Sequence, residues 1–196
     1  MGRYLGSKVK ICKRVGANIY GNPKYDAILA KKKAKKGFSK KPSEYSLQLK
    51  EKQLARYMFG VSEKQFKKYF QKAYRNTGVT GTELLKNLEL RADNVVYRSG
   101  VADSRPQARQ MISHGHFELN GRRITVPSIS IRAGDTLVLR KKIHSSPLYV
   151  GFSEAKPLKW IKTEAKNKSI TLDRIPENDE LEQSINVQLI VEYYSR

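Results

Sequence analysis

An α+β protein is predicted from three observations. Ser62 with Gln65, Thr80 with Glu83 and Ser104 with Gln107 each place a hydroxyl residue three positions before Glu or Gln, the spacing of a helix capping box. The stretch Ser104 to Gly121, SRPQARQMISHGHFELNG, runs a short basic helix into an Asn-Gly pair, the strongest short hairpin signal. Beyond it, apolar pairs at Ile124 and Val126, Ile129 and Ile131, and Leu137 to Leu139 are separated by turn residues, as in a small antiparallel sheet. The expected order is a basic extended N-terminal arm, a helical domain, and a module of helices packed on that sheet.

Residues 1–42 mix Lys, Arg, Gly and Tyr with few aliphatics and contain the block Lys31-Lys32-Lys33-Ala34-Lys35-Lys36. Alone, such a segment buries too little to offset its ordering entropy, so it is expected to be extended or mobile until charge-neutralised. Tyr4, Tyr20, Tyr25 and Phe38 interleave with the charges, a pattern suited to stacking on bases as well as to phosphate contact. Arg3, Tyr4, Lys8, Lys10, Lys13 and Arg14 are the contact candidates of this arm.

Pro42-Ser43 marks the change to a folded region, with a helix to about Met58, an apolar stripe of Leu47, Leu54 and Met58, and Gly60 as its left-handed terminator. After Ser62, Phe66, Tyr69, Phe70, Ala73 and Tyr74 recur at offsets of 0, 3, 4, 7 and 8, which predicts a helix. That aromatic stripe reads as core and not as a base-stacking surface, with Lys64, Lys67, Lys68, Lys72 and Arg75 on other faces. Thr80 opens a helical stretch through Leu84, Leu85 and Leu88 that bends near Glu89, and a further helix through Asp93, Val95, Val96 and Tyr97 ends at Gly100. In the next helix Ser104 is the cap and Pro106 sits in the first turn, where a missing N–H costs nothing. Ala108, Met111 and Ile112 share one face, and Arg105 and Arg109 another. Phe117 and Leu119 alternate as in a half-buried strand. From Ile143 to Asn178 the periodic signal fades among Pro147, Pro157 and Pro176, with Trp160 anchoring a local cluster. Ile185, Leu189, Ile190 and Tyr193 fit a closing helix at offsets of 0, 4, 5 and 8, although the β-branched Val187, Ile190 and Val191 also suit a strand.

The formal charge of +21, from 39 Lys and Arg against 18 Asp and Glu, favours a polyanionic partner. Residues 1–60 carry 16 basic and 3 acidic side chains, a balance of +13, so the N-terminal third dominates long-range attraction. No run of about 18 apolar residues could span a membrane, and no basic helix carries an extended Trp, Phe and Leu face for lying on one. Met1-Gly2-Arg3-Tyr4 opens no apolar signal segment, so a cytosolic or organelle-interior location is expected.

Catalytic and metal chemistry find no constellation here. Gly16 to Gly21 has the spacing of a phosphate loop, but Asn22 stands where its lysine is needed. Cys12 is the single cysteine, and His114 and His116 supply only two nitrogen ligands where zinc takes three or four, so no metal and no cofactor are expected. Asn167-Lys168-Ser169 matches a glycosylation sequon that, without a secretory signal, is read as chance. What remains is a basic helix and a hairpin with Arg122-Arg123 beside the turn. Double-stranded RNA offers phosphates, 2′-hydroxyls and unstacked bases, and Arg105, Arg109, Arg122 and Arg123 suit that task through forked donation.

The run Arg91-Ala92-Asp93-Asn94-Val95-Val96-Tyr97-Arg98, followed by Ser104-Arg105, Ala108-Arg109-Gln110, Ser113-His114 and Asn120-Gly121, resembles the RNA-binding module of the S-four family of small-subunit ribosomal proteins. The resemblance continues in Arg3-Tyr4-Leu5-Gly6, in Glu44-Tyr45 with Gln48-Leu49-Lys50-Glu51-Lys52-Gln53, in Tyr57 with Gly60-Val61, in Thr80-Gly81, in Pro157 with Trp160, and in the ending Ile190-Val191-Glu192-Tyr193-Tyr194-Ser195-Arg196. It thus covers nearly the whole chain and is to the bacterial type. Four departures stand out. Ala92 occupies a position that is usually Leu, lysine-rich Lys31 to Lys41 replaces a Pro-Gly-Gln-His-Gly stretch, Cys12 alone cannot form the zinc cluster of many relatives, and Asn178 replaces an arginine often seen after the proline at Pro176.

The resemblance implies a helical domain at 43–88 completed by a C-terminal helix at 184–196, with an RNA-binding module at 89–183, its core at 89–150, lying between them in sequence. It implies a monomeric structural constituent of the small ribosomal subunit that binds small-subunit rRNA, nucleates early assembly, contacts neighbouring small-subunit ribosomal proteins and lines the mRNA entry region, in cytoplasmic or organellar ribosomes. Lys50, Lys52, Arg91, Gln110, His114 and Asn120 join the RNA-contact candidates on the matching runs, His116 joins them from its place beside the turn, and Lys40, Lys41 and Lys50 are the nearest candidates for mRNA. The competing reading, an RNA-modifying enzyme such as a pseudouridine synthase with a similar appended module, needs a separate catalytic domain with a positioned aspartate. The residues outside the module are too few and too helical to supply one. A free-standing RNA chaperone or translational repressor differs from the first reading only in location.

Overall fold

Ser43, Ser62 and Ser104 each cap a helix, their hydroxyl oxygens accepting from the backbone N–H of Ser46, Gln65 and Gln107. In the computed structural model, which describes residues 6–34 and 42–195, these caps open α3 (Glu44–Met58), α4 (Glu63–Arg75) and α7 (Arg105–Ser113). Gly60, at φ +62°, turns the chain out of α3. Thr80 behaves differently from expectation. It is the first residue of α5 (Thr80–Glu89) and not its cap, and the Glu83 carboxylate accepts from Asn76 Nδ2 at 3.0 Å.

The chain forms two compact units, one comprising residues up to Leu84 together with those from Glu182 onward, the other Leu85–Leu181. In the first, the expectation of an extended basic arm is overturned for the described part. Lys8–Val15 forms α1 and Pro23–Ala34 forms α2, and α1 packs on α2 and α3. The physical reason is that Ile11, Cys12 and Val15 fall on one helical face and are buried, as is Leu29 of α2. The segment is too polar to fold alone, but α3 supplies the apolar surface it lacks.

The closing helix α8 (Val187–Tyr194) lies against α3. Asn186 caps it, and the pairing is fixed by polar contacts. The Asn186 N–H donates to Glu51 Oε1 at 2.7 Å, and Gln48 Nε2 to Glu192 Oε2 at 3.1 Å. Tyr194 stacks on Phe70 at 4.5 Å between ring centroids. Two stripe residues depart from prediction: Leu47 of α3 and Tyr74 of α4 are 42% and 69% exposed.

In the second unit α6 (Ala92–Arg98) packs on α7, and both cover an antiparallel sheet of order β2-β1-β3-β5-β4. The strands are β1 (Phe117–Leu119), β2 (Arg122–Arg123), β3 (Thr136–Leu139), β4 (Ile161–Glu164) and β5 (Ser169–Leu172). Asn120 and Gly121, at φ +48° and +79°, make the two-residue turn between β1 and β2. The core joins Val95, Val96, Met111 and Ile112 from the helices to Phe117, Leu137, Leu139, Ile170 and Leu172 from the sheet, with Trp160 fully buried among them.

Two sheet expectations need correction. Residues 124–131 form no strand; Ile129 O accepts from Ala92 N–H at 2.8 Å and the Ile131 N–H donates to Leu90 O at 2.8 Å, so they brace the joint between α5 and α6 instead. The two final strands arise where the periodic signal faded. Ile161-Lys162-Thr163-Glu164 and Ser169-Ile170-Thr171-Leu172 are four-residue strands flanked by prolines, too short to register as alternation, yet they pair with each other and β5 pairs with β3.

Candidate nucleic-acid interface

The arginines of α6 and α7 are built on a pair of carboxylates. Asp93, on the first turn of α6, receives Arg91 through Nε at 2.9 Å and Nη2 at 2.7 Å, and Arg109 through Nη1 at 3.3 Å. Glu89 receives Arg98 through Nε at 2.9 Å and through Nη2, and Asn94 donates both to its carboxylate and to its backbone oxygen. Asn94 in turn accepts from Arg105 Nε at 2.9 Å, and the Arg105 guanidinium lies over the Tyr97 ring, 4.6 Å from its centroid. Helical spacing creates this network. Residues 89–98 bring two acids, an amide and two arginines round one short helix, while Arg105 and Arg109, one turn apart on α7, reach across.

This geometry sorts the contact candidates. Arg91, only 1% exposed, is removed from the set, because its guanidinium is enclosed by Asp93 and cannot reach a phosphate. Lys52 is removed for the same reason, being 4% exposed, 2.8 Å from Glu63 Oε1 and 4.4 Å from the centre of the Tyr193 ring. Arg109 has a side chain 14% exposed and Arg105 is half-buried, so both hold α7 to α6 and present only part of their forks outward. The free anion-facing side expected for this pair is therefore an internal brace in large part. Asn120 is engaged in its hairpin, accepting from the Thr136 N–H at 3.0 Å and donating to Asp135 at 2.8 Å.

Gln110, His114, Arg122 and Arg123 stay exposed. Arg123 lies along the helix–hairpin corner, donating to His114 O at 3.4 Å, and a side chain at Gly115, which has φ +69°, would collide with its guanidinium. His116 is half-buried, its Nδ1 2.6 Å from the Tyr149 hydroxyl; burial pushes its imidazole below the ordinary value, with His114 and Arg140 adding repulsion. A neutral His116 held on Tyr149 shapes the corner more than it attracts phosphate. Arg132, Lys141 and Lys142 are exposed bases of the same unit that sequence reasoning passed over, though the run Arg140-Lys141-Lys142 directly after β3 was a visible signal.

In the helical unit, Lys8, Lys10, Lys13 and Arg14 of α1 and Lys50 of α3 are exposed, and Lys50 Nζ lies close to Gly16 at the end of α1. Lys64, Lys67, Lys68, Lys72 and Arg75 form an exposed basic surface on α4. Arg3, Tyr4, Lys40 and Lys41 fall outside the described residues.

Residues 90–137 match the family model for the S4 domain, and residues 3–89 that for the Ribosomal protein S4/S9 N-terminal domain. Fold and site together define a strongly basic α+β protein carrying an S4 domain. Over the full length of both chains, the sequence is 40% identical to the small ribosomal subunit protein uS4 of Pelotomaculum thermopropionicum across 210 residues, and 42% identical to that of Persephonella marina across 204. The corresponding protein of Borrelia hermsii is 42% identical across 206 residues, spanning all of this chain and 99% of that one. The chain belongs to the family of small ribosomal subunit protein uS4.

Proposed function

We propose that this chain is a structural constituent of the small ribosomal subunit that binds small-subunit rRNA directly, as a single copy per particle, and acts early in assembly by holding helices of that RNA together. The observation that carries the reading is full-length similarity to proteins named for that subunit, in a chain whose two units both expose arginines and lysines. On the S4 domain, Gln110, His114, Arg122 and Arg123 with the outward parts of Arg105 and Arg109 are the contact set. On the helical unit it is Lys8, Lys10, Lys13, Arg14 and Lys50. Phosphate contacts from both fix register on the RNA, and no side chain is assigned a catalytic step.

The finer part of the proposal places Lys50, with Lys40 and Lys41, at the mRNA entry region, beside neighbouring small-subunit proteins in a cytoplasmic or organellar ribosome. Sedimentation of cell extract through a sucrose gradient tests the whole reading: the protein is expected to travel with small subunits and with precursor particles. A pool confined to the top of the gradient would overturn it.

A further inference from the structure

Tyr74 breaks the pattern of its helix. Phe66, Phe70 and Ala73 share the buried face of α4, whereas Tyr74, one turn on from Phe70, is 69% exposed. Its ring lies 6.4 Å from that of Phe70 with 21° between planes, and Phe70 stacks on Tyr194. The three rings, with Gln71, Arg75 and Ser195, line an open depression of about 460 Å³. An exposed ring beside a stacked pair leaves a flat, weakly hydrated face open to a second flat group.

The charge around the depression selects the occupant. Arg75 is exposed and lines the depression, and Lys67, seven residues before Tyr74 and so on the same helical face, is exposed about 10 Å along α4. No acidic side chain is among the described residues that line it; Glu63, on the Tyr194 hydroxyl, is outside the lining. An aromatic platform flanked by cations is the arrangement that holds single-stranded nucleic acid, the ring taking a base and the cations its backbone. An apolar side chain of a protein partner would leave Arg75 and Lys67 without a counterpart.

We propose that this depression receives one unpaired base of the bound RNA, stacked on Tyr74, with Arg75 on the adjoining phosphate and Lys67 farther along the backbone. The proposal rests on the RNA-binding reading above and adds to it a site on the helical unit, remote in sequence from the hairpin arginines. Stacking on a ring tolerates any base, so the site favours an unpaired nucleotide and not a sequence.

The test compares the full chain with Tyr74→Ala, Tyr74→Phe and Arg75→Ala in titrations of small-subunit rRNA at several salt concentrations. Tyr74→Ala is expected to weaken binding roughly 5- to 150-fold with its salt slope unchanged, because stacking releases no counterion, while Tyr74→Phe stays near the parent. Arg75→Ala is expected to lower the slope by about one. Ultraviolet crosslinking of the parent complex is expected to leave a nucleotide on Tyr74. If the parent binds rRNA and Tyr74→Ala binds equally well, the base site is overturned and the RNA-binding role stands. If the parent itself fails to bind, both fall.

Discussion

The carboxylate of Glu89 has no solvent exposure and is held by Arg98 through two parallel hydrogen bonds, Nε to Oε2 at 2.9 Å and Nη2 to Oε1. Removing one partner of such a pair leaves the other's charge without compensation in a poorly solvated site. Glu89→Ala is therefore expected to cost about 3 kcal/mol in urea unfolding of the full chain. Glu89→Gln, which keeps an acceptor for Asn94, is expected to cost less. A loss near zero for the alanine variant would show the pair to be dispensable.

Arg109 and Arg122 are expected to separate stability from binding. Arg109 is tied to Asp93, so Arg109→Ala is expected to lower stability by about 1.5–3 kcal/mol and to weaken RNA binding partly through that loss. Arg122 is exposed on the edge strand β2, and Arg122→Ala is expected to leave stability within about 0.5 kcal/mol while lowering the salt slope of rRNA binding by about one. Thermal melts and binding titrations of the two variants decide it; matching behaviour would refute the separation.

Salt dependence gauges how much of the +21 charge meets phosphate. With about 6 to 10 neutralised phosphates, affinity for small-subunit rRNA is expected to fall by roughly 10³ to 10⁵ between 50 and 200 mM salt. Filter binding across that range is the measurement, and a flat response would count against phosphate contact by either unit.

Glu63 links the helical unit to pH. Burial pushes its carboxyl up, but donation from Lys52 and from the Tyr194 hydroxyl, with the charges of Lys52 and Arg56, outweighs it and holds the group below its ordinary value of 4.5. A carboxyl depressed in the folded state adds stability that is present above about pH 4.5 and lost as pH falls through the folded value. The stability difference between the parent and Glu63→Gln is thus expected to shrink as pH drops below that point. A difference constant from pH 7 to 3 would exclude the linkage.

Gly81 sets packing against propensity. Alanine in a helix gains about 1 kcal/mol over glycine, but a Cβ here would sit 3.0 Å from Val187 Cβ, and overpacking costs about 1–3 kcal/mol. Gly81→Ala is expected to be destabilising, as a lowered urea midpoint would register.

Local signals were readable because they are encoded within a few residues. The serine caps, the left-handed Gly60 and the Asn120-Gly121 turn follow from hydrogen-bond and φ requirements of neighbouring positions. The contact set was readable only as residue types. Arg122 and Arg123 are exposed as expected, yet Arg91 and Lys52 looked the same in sequence and are buried. Their partners show why: Asp93 sits two residues from Arg91, and Glu63 lies eleven residues from Lys52 on another helix. A charge count cannot tell a base that faces solvent from one that faces an acid.

By itself the sequence determined the α+β class, the three serine-capped helix starts, the hairpin and the basic character, since each depends on short-range chemistry or on summed charge. Tertiary structure alone decided that α1 packs on α3, that β4 and β5 extend the sheet, that Arg105 and Arg109 brace α6 against α7, and that Tyr74 is left in water. Each of those outcomes is set by which distant apolar or acidic surface a segment meets. Burial and ion pairing are properties of that meeting and not of the segment.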